Sequence, residues 1–189
     1  MQIPPQLLTL PNQLTIGRIL AIPVICLFLV SGWEWLRWLA LLLYIAAAVT
    51  DWLDGFLARR MNLNSALGKM LDPIADKLLV GALLITFAWT RDLNGWDLIP
   101  AIAIMLREIF VSGLREYLGN RSISVPVTFL AKWKTTVQLV ALGLIIAAPM
   151  LLGLGFISHV FLWLAGGLTV WTGWEYLRST WPHLSGPEL

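Results

Sequence analysis

Asp51-Trp52-Leu53-Asp54-Gly55-Phe56-Leu57-Ala58-Arg59-Arg60 and, after a short break, Gly68-Lys69-Met70-Leu71-Asp72-Pro73-Ile74-Ala75-Asp76 decide how the rest of the chain is read. Four carboxylates sit here inside a sequence whose flanks are long enough and apolar enough to cross a bilayer. At the bilayer centre each would cost roughly 2.5–3.5 kcal/mol on insertion scales, so all four must face protein, water or metal rather than lipid. In helical geometry Asp51, Asp54, Gly55 and Ala58 fall at i, i+3, i+4 and i+7, and Gly68, Asp72 and Asp76 at i, i+4 and i+8. Each set makes one stripe. The intervening Arg59-Arg60-Met61-Asn62-Leu63-Asn64-Ser65 is short and polar, which predicts an antiparallel hairpin with its two acidic stripes face to face.

Outward from this stretch, composition says the same. The 189 residues are 58% hydrophobic and only 13% charged, with mean hydropathy +0.77, too little polar surface for a water-soluble domain of this size. Six apolar segments of roughly 20 residues are expected to span, at Thr15–Val30, Leu36–Leu57, Leu67–Trp89, Leu98–Leu118, Thr128–Leu152 and Phe156–Trp181. Ahead of the first, Gln6–Asn12 reads as either a short interfacial helix or an extended lead-in. With no internal repeat and no long linker, residues 1–189 are expected to form one domain, an all-α integral membrane bundle of six transmembrane helices. Met1-Gln2-Ile3-Pro4-Pro5 lacks a basic n-region, so the first helix is expected to be retained rather than cleaved as a signal peptide. Trp33, Trp35, Trp89, Trp96, Trp133 and Trp181 fall near predicted helix ends, where indoles anchor at headgroup level. The single cysteine, Cys26, excludes an intrachain disulfide and reads as packing.

The cations orient the bundle. With both termini on one side, Arg18, Arg59, Arg60, Lys69, Arg115, Arg121, Lys132, Lys134 and Arg178 lie at or near that face, against Arg37 and Arg91 on the other, so that face is cytoplasmic. The acidic stripes lie at the same end, open to cytosolic solutes and the inner leaflet. A net charge of +2 is too small to point to nucleic acid.

Four acids with so few neighbouring cations cannot all ionise without counter-charge. Oxygen-only ligation selects a hard divalent ion such as Mg²⁺ or Mn²⁺, and a pair of ions about 3.5–4 Å apart suits displacement at phosphorus. The plainer reading is a buried ionic network in which the acids only satisfy Arg59 and Lys77. Gly55 and Gly68 leave the helix backbone open to close approach by a ligand.

The full pattern, Asp51-x2-Asp54-Gly55-x2-Ala58-Arg59-x8-Gly68-x3-Asp72-x3-Asp76, resembles the signature of the CDP-alcohol phosphotransferases at every fixed position. The resemblance implies two divalent cations, Mg²⁺ or Mn²⁺, held by Asp51, Asp54, Asp72 and Asp76, with Asp76 also the catalytic base. It further implies a cytidine diphosphate site at Asn12, Thr15, Gly55, Ala58, Arg59, Ser65 and Gly68, and a homodimer in the bacterial cytoplasmic (inner) membrane with its active site facing the cytoplasm. Asn12 and Thr15 read equally as caps of the first helix, and Ser65 as a cap of the third.

The second half bears on the acceptor. Arg107-Glu108-Ile109-Phe110-Val111-Ser112-Gly113-Leu114-Arg115 and Ala131-Lys132-Trp133-Lys134-Thr135-Thr136-Val137-Gln138 resemble segments of the bacterial family members that use glycerol 3-phosphate, and the likeness runs from about Pro11 to Leu142. Arg107 and Arg115 lie two turns apart on one face, and Lys132 and Lys134 enter from the same side. Together with Arg178 they form a candidate site for the acceptor's phosphate, although the positive-inside rule by itself also puts cations here. An arginine at position 107, inside a span, requires a partner such as Glu108, a motif carboxylate or a bound phosphate. The expected reaction joins CDP-diacylglycerol and glycerol 3-phosphate into phosphatidylglycerol phosphate and CMP. The alternatives are a cardiolipin, inositol-phosphate or serine-type acceptor, and a divalent-cation transporter using the same acids as an ion path.

Overall fold

The computed structural model describes residues 10–61, 66–93, 95–121, 123 and 128–184, with 10–11, 52–61, 66–67, 69 and 120 by their backbone alone. Among these described residues six α-helices follow one another: α1 Leu10–Val30, α2 Glu34–Met61, α3 Ala66–Thr90, α4 Leu98–Asn120, α5 Phe129–Ala147 and α6 Leu154–Leu184. A single 3₁₀ turn, Gly95–Asp97, leads into α4, and no strand occurs among the described residues. Runs such as Leu39-Ala40-Leu41-Leu42-Leu43 combine high helix propensity with enough apolar surface to hold the helix by packing.

The breaks have local causes. Gly32 takes φ +74° in the turn between α1 and α2, and Gly153 takes φ +90° before α6, conformations that cost other residues more. The fifth helix ends at Ala147, short of the Leu152 expected from hydropathy, and the chain turns through Pro149 to Gly153. Apolar composition extends past that break, which is why hydropathy alone overran it. At the other end of the chain α1 is already helical at Leu10, so the second half of the Gln6–Asn12 stretch belongs to it; Gln6 to Thr9 lie outside the described residues.

The packing order departs from the simple hairpin. Along its length α1 lies against both α2 and α3, while α2 and α3 have little direct contact among the described residues. The described acids of the two stripes still come together beside α1, where Asp51 and Asp76 lie within hydrogen-bonding reach of each other. Ile22, Ile25 and Leu29 of α1 join Tyr44 of α2 and Leu79, Leu83 and Phe87 of α3 in a core that continues through Ile104, Leu142, Ile145 and Leu162. The second half of the chain closes this core with α6 packed on α4 and α5, and α5 on α2. Close approach of α4 and α6 depends on Gly166, where an added Cβ would stand 2.6 Å from Cβ of Pro100.

Outside the core, Leu27, Leu42, Ile85, Leu106, Ile109, Trp163 and Val170 are exposed on all sides. In water this would be one continuous adhesive surface; in a bilayer it faces acyl chains. Among the described residues, three helices are long and apolar enough to cross a membrane, over Asn12–Val30, Phe129–Ala147 and Leu154–Leu184.

Polar ties close the end of the bundle remote from the acidic stripes. Arg37 donates from Nε to the Ile146 carbonyl at 2.9 Å and pairs with Asp92 at 2.7 Å, linking α2 to α5 and to the end of α3. Asp97 is buried between Nδ1 of His159 at 2.8 Å and the indole N–H of Trp163, which donates to it at 3.1 Å. These are structural clasps, and they leave the opposite end free for the acids.

Candidate active site

Asn12, Thr15 and Arg18 recur every three residues on α1, forming a polar stripe on a mostly apolar helix, and all three are buried. The stripe points into the junction where α2 and α3 bring their acids. Thr15 Oγ1 donates to Asp72 Oδ1 at 2.8 Å. Arg18 Nη1 donates to Asp51 of α2 and, at 2.9 Å, to Oδ1 of Asp76 of α3. One guanidinium nitrogen thus joins carboxylates from two helices. Asn12 and Thr15 lie inside α1 beyond its first described residue, so Thr15 spends its hydroxyl on a motif carboxylate rather than on a helix cap.

Asp51, Asp72 and Asp76 line one cavity of about 330 Å³, together with Arg18, Lys77, Arg107, Glu108, Arg115, Lys134 and Gln138. Asp76 is the most open of the ion-paired acids there, with 56% of its side chain accessible against 38% for Asp51, while the Arg18 side chain is fully enclosed. The described side chains include no ready-made cluster of three metal-binding groups; the fourth acid, Asp54, lies on the last turns of α2, where the side chains are outside the described residues. The donor set nevertheless fits a hard cation. Three carboxylates face the same space, and two of them already share a positive group between them.

The nucleotide residues divide. Gly68 is buried on α3 one turn before Asp72, on the acidic face. Gly55, Ala58 and Arg59 belong to the end of α2, with side chains outside the described residues, and Ser65 lies outside them altogether.

Across the cavity stands a basic wall. Arg107 Nη1 donates to Glu108 Oε1 at 3.3 Å, and the Lys134 ammonium donates to the same oxygen. Glu108 is thus one of the partners that an arginine inside a span requires. Arg115 lies with its guanidinium carbon 5.7 Å from the centroid of the Tyr176 ring. Arg107 runs past α6 at Gly173, where an added Cβ would stand 3.0 Å from Cγ of the arginine. Of the five basic candidates, Arg107, Arg115 and Lys134 line the cavity with the acids; Lys132 and Arg178 are exposed and do not line it.

Three contributors escape a reading by charge alone. Arg18 counts in sequence as one more cytoplasmic cation, yet its spacing from Thr15 and Asn12 was the available sign that it points inward. Glu108 is legible only as a partner for Arg107, not as the hub of two cations. Gln138, one turn beyond Lys134, carries no charge to draw notice.

The family model described as CDP-alcohol phosphatidyltransferase matches residues 8–171. A CDP-diacylglycerol–glycerol-3-phosphate 3-phosphatidyltransferase of Rickettsia bellii is 44% identical over 173 residues, covering 90% of this chain and 94% of the relative. One of the same name from Pseudomonas fluorescens is 39% identical over 186 residues, 94% of this chain and 92% of that one. A cardiolipin synthase (CMP-forming) of Oryza sativa subsp. japonica is 40% identical over 196 residues, 94% of this chain and 59% of the plant protein.

Proposed function

The chain belongs to the CDP-alcohol phosphatidyltransferase family, and from that premise we propose that it transfers the phosphatidyl group of CDP-diacylglycerol to sn-glycerol 3-phosphate, giving phosphatidylglycerol phosphate and CMP. The observation that carries this reading is the two-sided cavity, with Asp51, Asp72 and Asp76 on one wall and Arg107, Arg115 and Lys134 on the other. An acceptor that brings its own phosphate has a use for that second wall, and an uncharged alcohol has none.

In this reading Asp51, Asp54, Asp72 and Asp76 hold two divalent cations, Mg²⁺ or Mn²⁺, which when bound polarise the pyrophosphate and neutralise charge on the departing CMP. Arg59 and the glycines at 55 and 68 hold the nucleotide, with Asn12, Thr15, Ala58 and Ser65 beside them. Arg18 fixes Asp51 and Asp76 relative to each other. Arg107, Arg115 and Lys134 receive the acceptor's phosphate, Lys132 and Arg178 add charge at the rim, and Asp76 takes the proton of the attacking hydroxyl. The new bond forms between that hydroxyl oxygen and the phosphorus bearing diacylglycerol, as the bond from that phosphorus to CMP breaks. The chemistry is mostly positioning and charge neutralisation.

The membrane disposition follows the same reading. At 28, 25 and 23 residues, α2, α3 and α4 each reach about 30 Å or more, so six spans are proposed, with the cavity on the cytoplasmic side of a bacterial inner membrane. A homodimer is proposed by family likeness.

The test is CMP release by the purified protein from CDP-diacylglycerol with a panel of acceptors. Glycerol 3-phosphate should be used, and Arg107→Ala or Arg115→Ala should raise its apparent KM much more than that of CDP-diacylglycerol. A second reading, with phosphatidylglycerol as acceptor, draws on the cardiolipin synthase relative; release with phosphatidylglycerol but not glycerol 3-phosphate would establish it in place of the first. Cation transport by the same acids would instead show metal uptake with no CMP release.

A further inference from the structure

We propose that Gln138 is the residue that reads the acceptor's second hydroxyl, the one that does not attack, and so selects a polyol phosphate over a simple hydroxyalkyl phosphate. The proposal rests on the glycerol 3-phosphate reading and assigns a specificity role within it.

Gln138 sits on α5, is only 3% exposed, and lines the cavity that Asp76, Arg107, Glu108 and Lys134 also line. Its Oε1 is buried and has no hydrogen-bond partner among the described residues. A buried amide oxygen accepts hydrogen bonds and nothing else, so its missing partner is a donor. The nearby ammonium of Lys134 is directed to Glu108, and the hydroxyl of Thr135 to the Ala131 carbonyl at 3.2 Å. Neither is turned to the glutamine.

Turning the terminal amide of this cavity-lining side chain presents its oxygen to a ligand, whose hydroxyl supplies the donor. Lys134 and Gln138 are four residues apart on one face of α5, a rise of about 6 Å along the helix. A phosphate held by Lys134 and Arg107 leaves the carbon next to it, and then the carbon bearing the secondary hydroxyl, within that rise. The terminal hydroxyl then remains free to turn toward Asp76. A site that hydrogen-bonds a substrate hydroxyl rejects the analogue lacking it far more strongly than an apolar pocket does, because its own buried polar atom is left unpaired.

The experiment compares glycerol 3-phosphate with 3-hydroxypropyl phosphate, which keeps the phosphate and the attacking hydroxyl and lacks the second one. The full-length protein should show kcat/KM at least about tenfold lower for the analogue. Gln138→Leu and the near-isosteric Gln138→Met should bring the two acceptors to similar kcat/KM by losing activity on glycerol 3-phosphate, with the KM for CDP-diacylglycerol unchanged. Because the ratio is taken within one preparation, it is independent of how much of a variant folds, and the unmodified protein carries the test where a variant yields no active enzyme. Equal use of both acceptors by the unmodified protein overturns the proposal, as does a variant that keeps the original preference. CMP release with neither of these acceptors but with another alcohol overturns the acceptor reading itself, and this proposal with it.

Discussion

Arg18 of α1 donates from Nη1 to Asp76 Oδ1 at 2.9 Å, with its own side chain wholly enclosed and the carboxylate 56% accessible. The same nitrogen bonds Asp51 on α2. An enclosed guanidinium nitrogen bonded to two acids from different helices ties α1, α2 and α3 together at one point. Arg18→Gln should remove that tie and lower stability by about 1–3 kcal/mol, less than the ~3–5 for a fully buried pair because both acids open to the cavity. Arg18→Lys should restore part of it, as one charge without the planar fork. Unfolding midpoints in a fixed detergent check both.

Metal dependence is the expectation for Asp51, Asp54, Asp72 and Asp76. A chelator should abolish CMP release, and added Mg²⁺ or Mn²⁺ should restore it. Asp54→Asn and Asp72→Asn should stay inactive at saturating metal. Full activity in excess chelator would remove the two-cation assignment.

Asp76 is expected to act on the proton more than on the nucleotide. Asp76→Asn should lose about 10²–10⁴-fold in turnover, the usual worth of a general base, while affinity for CDP-diacylglycerol changes much less. Near-normal turnover in that variant would take Asp76 out of the base role.

Gly173 tests the basic wall from behind. A methyl group there would stand 3.0 Å from Cγ of Arg107, so Gly173→Ala should push the arginine stem off its present line. The apparent KM for glycerol 3-phosphate is then expected to rise several-fold, with that for CDP-diacylglycerol held. Kinetics with each substrate varied in turn would separate this from a general loss of folding, which lowers kcat for both alike.

Much of this was legible in sequence because the cost of a carboxylate in an apolar stretch is large and local. Asp51, Asp54, Asp72 and Asp76 stand out for that reason, and the helical periods of the two stripes follow from spacing. The placement of α1 between α2 and α3 was not legible: a seven-residue connection fixes which helices are neighbours in the chain, and says nothing of a third helix that packs better against both. Arg18 was hidden for a related reason, since the positive-inside rule explains a cation near that face without asking where its side chain goes. Gln138 was hidden because an uncharged amide leaves no mark on hydropathy or charge patterning; its burial and an oxygen unpaired among the described residues single it out.

The identity of the lipid product tests the central claim most directly. Purified protein supplied with CDP-diacylglycerol, divalent cation and glycerol 3-phosphate is expected to yield CMP and, in equal amount by mass spectrometry, a lipid that has kept the acceptor's phosphate, phosphatidylglycerol phosphate. A lipid product without that phosphate, or product formed from another acceptor and none from glycerol 3-phosphate, would contradict the account.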